Sequence, residues 1–207
     1  MSSPHFPSFV EGLPVTRRAL EYAAERHRGQ EREADHAAFI LHPLEVAQLL
    51  YNRGYPDEVV AAGVLHDSLE DTDATPDELE RRFGGEVARI VCSVSEPPGP
   101  GAYAERKARL RAAVADAGPD VAAVYAADKV AKARELRMSI ARDWSVAASA
   151  TTADRLGHYW SSLLLLEAVL EDNPLVTELR FELEALATLP PRAPADAAAE
   201  QEAELHR

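Results

Sequence analysis

At 207 residues, 46% of them apolar, the chain can bury one substantial core and is too short for two ordinary domains joined by a linker. Its formal charge of -13 argues against a nucleic acid polymer or an anionic membrane as partner, because both need a basic field. No basic start leads into a long apolar run, the aliphatic stretches 59–65 and 163–166 fall far short of a membrane span, and the single Cys92 has no internal disulfide partner, so a cytoplasmic protein is expected.

Residues 1–14 hold Pro4, Pro7 and Pro14 among Ser and Gly and are expected to be a loose N-terminus, ahead of one domain over 15–189. Thr16 is placed to cap a first helix reaching about Arg28. Pro43 suits the first turn of a second, Leu44 to Asn52, ended by Gly54. Asp57 can cap a third, which runs apolar from Val59 to Leu65 and continues through Asp71. Thr75-Pro76-Asp77-Glu78 opens a fourth, with Thr as cap, Pro in the first position and Glu three residues on. Gly84-Gly85 then interrupts the chain before a helix from Glu86 to Val94, in which Cys92 is expected to pack into the core. After a Pro- and Gly-rich loop at 96–101, helices are predicted over Tyr103 to Ala115, Val121 to Ile140, Ala153 to Leu170 and Leu175 to Leu186, with a flexible tail over 190–207. No alternating strand pattern or internal repeat is present, so the expected class is all-α.

The third helix carries the first chemical signal. Its apolar run leads straight into His66, Asp67, Glu70 and Asp71, and residues three and four apart share a helical face. One imidazole and three carboxylates crowded together repel unless a cation neutralises them. His42, just before a helix, and Asp128, an acid inside the apolar run from Val121 to Val130, are the other candidates for such a site. His42, His66, Asp67 and Asp128 together make a mixed nitrogen and oxygen set suited to Mn²⁺, Fe²⁺ or Zn²⁺. Residues 104–137 hold eight Lys/Arg and five Asp/Glu, a local +3 in a chain that is otherwise -16, which suits a small anionic ligand.

In order along the chain, His27-Arg28-Gly29-Gln30, Phe39 to Ala47 with His42-Pro43, Ala62 to Thr72 with His66-Asp67 and Glu70-Asp71, Arg82-Phe83-Gly84, Val94-Ser95-Glu96 and Ala127-Asp128-Lys129 with Arg134 resemble the HD superfamily. Within it the likeness is to the hydrolase domain of RelA/SpoT-type enzymes and the small alarmone hydrolases, over residues from about 17 to 140. The resemblance implies a single helical HD domain with its metal site between helices. It also implies a Mn²⁺-dependent enzyme that removes the 3′-pyrophosphate of guanosine tetra- or pentaphosphate, with the His and Asp residues as ligands and Glu70 and Asp71 activating water. Hydrolysis without synthesis is expected.

Candidates for binding the substrate phosphates are Arg32, Arg106, Lys107, Lys129, Lys132 and Arg134, the last of which could equally pair an acid in the core. His158 and Tyr159 are candidates for the base pocket or for plain packing. Three segments depart from the family pattern: Glu31 to His36, with Glu33 and Ala34, replaces a basic pair in which only Arg32 can substitute; Lys132 stands where an Asn is usual; and Ala38-Phe39 replaces Pro-Tyr. Alternatives are an HD phosphohydrolase for another nucleotide or phosphoester, and a catalytically weak nucleotide-binding regulatory module.

Overall fold

The computed structural model describes residues 6–188, and among these the elements are helical, with one isolated antiparallel bridge between Glu31 and Ala38. The expected tail at 190–207 lies outside the described residues, as do residues 1–5. Residues 8–12 correct the expectation of a loose start: they form a 3-10 turn, with Val10 buried and the Phe9 ring 5.0 Å from that of Tyr51.

Helix α1 spans Pro14–Arg26 and starts two residues before Thr16, which therefore is not its cap. Pro14 has no N–H to satisfy, and the next two amides, of Val15 and Thr16, each donate to the Asp57 carboxylate at 2.8 Å. The Thr16 hydroxyl donates to the same carboxylate at 2.7 Å. Asp57 was expected to cap its own helix; it instead opens α3 (Asp57–Leu65) and caps α1 from across the interface. Asp57→Ala is expected to lower stability by about 1 to 2 kcal/mol, as loss of a cap does. An unchanged urea midpoint would show that these bonds contribute nothing.

Helix α2 (Leu41–Tyr51) lies against α3, with Gly63 facing Val46, Ala47 and Leu50. A Cβ there would meet Leu50 Cδ1 at 2.5 Å and Val46 Cγ1 at 3.3 Å, so any larger residue would push these α2 side chains aside. The helix expected to run unbroken to Asp71 instead ends at Leu65, and α4 (Ser68–Asp71) begins after a turn at His66-Asp67. Asp67 has φ -90° and ψ -3°, the sparsely allowed bridge region in which site residues are often held. Beyond it, α5 (Pro76–Phe83) begins as expected, with the Thr75 hydroxyl accepting the Glu78 N–H. Gly84, at φ +95°, turns the chain into α6 (Gly85–Val94). Cys92 is exposed on the outer side of α6, where Val87, Ile90, Val91 and Val94 take the inner face, which corrects its expected place in the core.

Helices α7 (Tyr103–Asp116), α8 (Pro119–Arg142), α9 (Ala150–Val169) and α10 (Pro174–Thr188) complete the order, with a 3-10 turn at Trp144–Ala148. The 24-residue α8 packs against α2, α3, α6, α7, α9 and α10. Its buried alanines at 122, 123, 126, 127, 131 and 133 explain how: short side chains let neighbours close in on several sides, and the stretch 121–131, buried at every position, must be central. Asp128 and Lys129 are carried into the interior on this helix. No described helix is long and apolar enough to cross a membrane.

Candidate metal centre and cleft

Three helices converge on one point. Helix α2 brings His42 from its first turn, the break after α3 brings His66 and Asp67, and α8 brings Asp128, all of them buried. His42, His66 and Asp128 each offer a ligand atom within 4.8 Å of the others. The two imidazole Nε2 atoms stand 3.2 Å apart, and each is 3.3 Å from Asp128 Oδ1. Asp67 Oδ2 joins at 3.0 Å from His66 Nε2 and 3.5 Å from His42 Nε2.

These separations suit a transition metal. Ligand bonds of about 2.1 Å put neighbouring ligand atoms roughly 3.0 to 3.5 Å apart. The far ring nitrogens are committed elsewhere: His42 Nδ1 lies 3.0 Å from Glu135 Oε1, and His66 Nδ1 lies 2.8 Å from the Gly63 carbonyl oxygen. Both partners are acceptors, so each Nδ1 carries a hydrogen and Nε2 is the nitrogen each ring has left to offer a metal. Asp128 Oδ1 is buried there without a hydrogen bond of good geometry.

The electrostatics agree. Burial opposes charge on His66, but Asp67 and Asp128 outweigh it and raise the imidazole to about 10. His42 moves in the same direction: burial opposes, and Asp128, Glu135 and Asp67 prevail. Burial would push the Asp67 and Asp128 carboxyls up, yet the surrounding imidazoles and lysines hold both well below the ordinary carboxylate range. A field that demands protons at the meeting point demands a cation equally.

Glu70 and Asp71 lie beyond the break and face different spaces. Glu70, with His66, Asp67, Asp128 and Lys129, lines a small cavity of about 20 Å³, room for a single water. The Glu96 N–H donates to Glu70 Oε1 at 2.6 Å and fixes the carboxylate. Asp71 lines a wide cleft of about 660 Å³, and burial, then the charge of Asp67, raises its carboxyl. The sequence pattern places both acids on one face; as consecutive residues of α4 they project about 100° apart and so reach different spaces.

The expected phosphate binders divide. Arg32, Lys107, Lys129 and Lys132 line the cleft, and the last three also reach the small cavity. Arg32 is engaged by Asp35 and lies 3.7 Å from Glu135. Lys129 is ion-paired with Asp128 and its charge is disfavoured by burial, whereas Asp128 and Asp67 overcome burial and hold Lys132 charged. Arg106 is turned instead to the 96–101 loop, bonded to Glu96 and to the Gly101 carbonyl, and does not line the cleft. Arg134, for which a phosphate contact and a core ion pair are both expected, binds Glu45 and Glu182, at 3.0 and 3.1 Å, and Glu178, tying α2 to α8 and α10.

His158 and Tyr159 do line the cleft, both nearly buried. Arg111 donates to His158 Nδ1 at 2.8 Å, which places the ring hydrogen on Nε2. Burial, Lys129, Lys107 and Arg111 depress this imidazole to about 2, so it is neutral.

Glu135 was not anticipated, although it follows Asp128 by seven residues and Lys132 by three on the same face of α8. Tyr103 and Arg155 also line the cleft without having been expected. Arg155 sits three residues before His158, a spacing that could have found it.

The HD domain pattern matches residues 19–154. The chain is 37% identical over 130 residues to guanosine-3′,5′-bis(diphosphate) 3′-pyrophosphohydrolase MESH1 of Danio rerio, covering 61% of this chain and 71% of that protein. It is 41% identical over 92 residues to the guanosine-3′,5′-bis(diphosphate) 3′-pyrophosphohydrolase of Aquifex aeolicus, 44% of this chain but 13% of that longer protein. The structure of a metazoan ortholog of SpoT that hydrolyses ppGpp superposes with a TM-score of 0.72 at 23% identity, over 90% of this chain and all of that one. A Listeria monocytogenes structure superposes with a TM-score of 0.64 at 27% identity, over 72% of this chain and 96% of the other. At 23% identity the first superposition speaks for the fold.

Proposed function

This chain belongs to the HD domain family, and from that premise we propose that it is a metal-dependent hydrolase of the 3′-pyrophosphate of guanosine tetra- or pentaphosphate, with Mn²⁺ as the cofactor. The observation that carries the reading is the buried His42, His66, Asp67 and Asp128 cluster beside a cleft walled by Lys107, Lys129 and Lys132. The MESH1 relative named for this activity supports the substrate. When held by those four residues, the metal supplies charge that polarises a phosphoryl oxygen and acidifies water.

The chain's own groups do the rest. Glu70 takes a proton from water in the small cavity as the water oxygen attacks phosphorus. The bond from that phosphorus to the ribose 3′-oxygen breaks, and pyrophosphate leaves GDP behind, or GTP from the pentaphosphate. Asp71, whose carboxyl is raised, faces the cleft and returns a proton to the leaving oxygen. Lys107, Lys129 and Lys132 offset phosphate charge, while His158 and Tyr159 form the wall of the cleft. A cleft of about 660 Å³ suits a ligand the size of a nucleotide. We place the activity in the cytoplasm, a reading supported by a lone cysteine with no internal disulfide partner.

Guanosine tetraphosphate incubated with the Mn²⁺-loaded protein is expected to yield GDP and pyrophosphate in equal amounts, with no free phosphate and no synthesis from ATP. One observation favours a different phosphoester: Glu31 and Glu33 line the cleft where the family resemblance calls for a basic pair. If the guanosine series is inert while another nucleotide turns over, that reading replaces this one.

A further inference from the structure

Lys132, like Lys107 and Lys129, lines both the small cavity and the cleft. Its Nζ lies 3.0 Å from Asp128 Oδ1 and 3.5 Å from Asp67 Oδ1. Asp128 Oδ1 is also the oxygen 3.3 Å from both imidazole Nε2 atoms, so the lysine and a metal held by this ligand set would claim the same atom. In a pocket this buried, an ammonium and a divalent cation on one oxygen repel strongly. One of them has to withdraw.

The imidazoles cannot, since Glu135 and the Gly63 carbonyl fix their far nitrogens. Lys129 cannot either, with its side chain 6% exposed, paired to Asp128 Oδ2 and lying over the Tyr125 ring. Lys132 can: its side chain is 33% exposed, its stem is flexible, and the cleft is open beside it.

We propose that Lys132 is a tethered counter-cation that exchanges with the metal, leaving Asp128 Oδ1 when the metal binds and moving into the cleft to contact a phosphoryl oxygen of the substrate. Metal and phosphate then assist each other's binding through this side chain, and the assistance is reciprocal. An amide at this position would carry no charge to exchange. The inference rests on the ligand set proposed above.

The test titrates Mn²⁺ into the full chain by calorimetry, for the wild type, Lys132→Met and Lys132→Gln, with His66→Ala as a control for the ligand set. Inorganic phosphate is then titrated as probe into each protein with and without Mn²⁺. Both Lys132 variants are expected to bind Mn²⁺ at least about fivefold more tightly than wild type, and to lose phosphate affinity only when Mn²⁺ is present. The glutamine variant decides the matter if the methionine variant does not fold. Equal Mn²⁺ affinity in wild type and variants overturns the exchange while leaving the ligand set standing. A loss of phosphate affinity equal with and without Mn²⁺ also overturns it, since the lysine is then a fixed anion contact. Wild type that takes up no Mn²⁺, or uptake that survives His66→Ala, removes the ligand set and the exchange with it.

Discussion

Replacing His66 or Asp128 with alanine is expected to take bound Mn²⁺ from about one per chain to none, and turnover down by about 10³-fold or more, because a catalytic metal supplies several kcal/mol to the transition state. The geometry explains why one ligand matters so much. Asp128 Oδ1 is 3.3 Å from both imidazoles, and His66 Nε2 lies 3.0 Å from Asp67 Oδ2, so either change opens a side of the cluster. The two variants should differ in stability. Asp128→Ala leaves the buried Lys129 without its ion-pair partner, and a loss of about 3 kcal/mol is expected, the scale for breaking a buried pair from one side. Asp128→Asn keeps the shape and separates folding from metal loss. Elemental analysis after Mn²⁺ loading is the direct measurement; a full complement of metal in His66→Ala would remove this ligand set.

Glu70→Gln is expected to retain the metal and lower turnover by about 10²-fold or more, the scale for losing a general base. Glutamine can still accept the Glu96 N–H that now holds Glu70 Oε1 at 2.6 Å, so the cavity wall should stay in place. What it cannot do is take a proton from water in that cavity. Asp71→Asn, on the cleft side, should give a separate loss when combined with Glu70→Gln, because the two acids face different spaces. Turnover unchanged in Glu70→Gln would make that carboxylate a mere anchor for the 96–101 loop. Metal lost in proportion to activity would move Glu70 into the ligand shell.

Much of this site is legible in the residues themselves. An acid such as Asp128 inside an alanine and valine run is costly to bury alone, and two histidines beside helix starts and ends supply partners for it, so sequence determines that a charged cluster sits within a helical core. Apolar spacing and Pro, Gly and Thr punctuation likewise determine where most helices lie, because those effects act within a few residues of the chain. Which side chains meet across the core is decided by packing. Asp57 looks like the cap of its own helix, yet it serves α1 because Pro14 leaves two amides facing it. Arg134 and Lys132 lie two residues apart on α8, so they point to different neighbours: one is tied to Glu45, Glu178 and Glu182, the other reaches the metal ligands. The turn at His66-Asp67 is tertiary as well. Local propensity favours an unbroken helix through Asp71, but in the folded chain the His66 ring is bonded to the Gly63 carbonyl and set against His42 and Asp128, and the helix breaks at His66-Asp67 before resuming as α4.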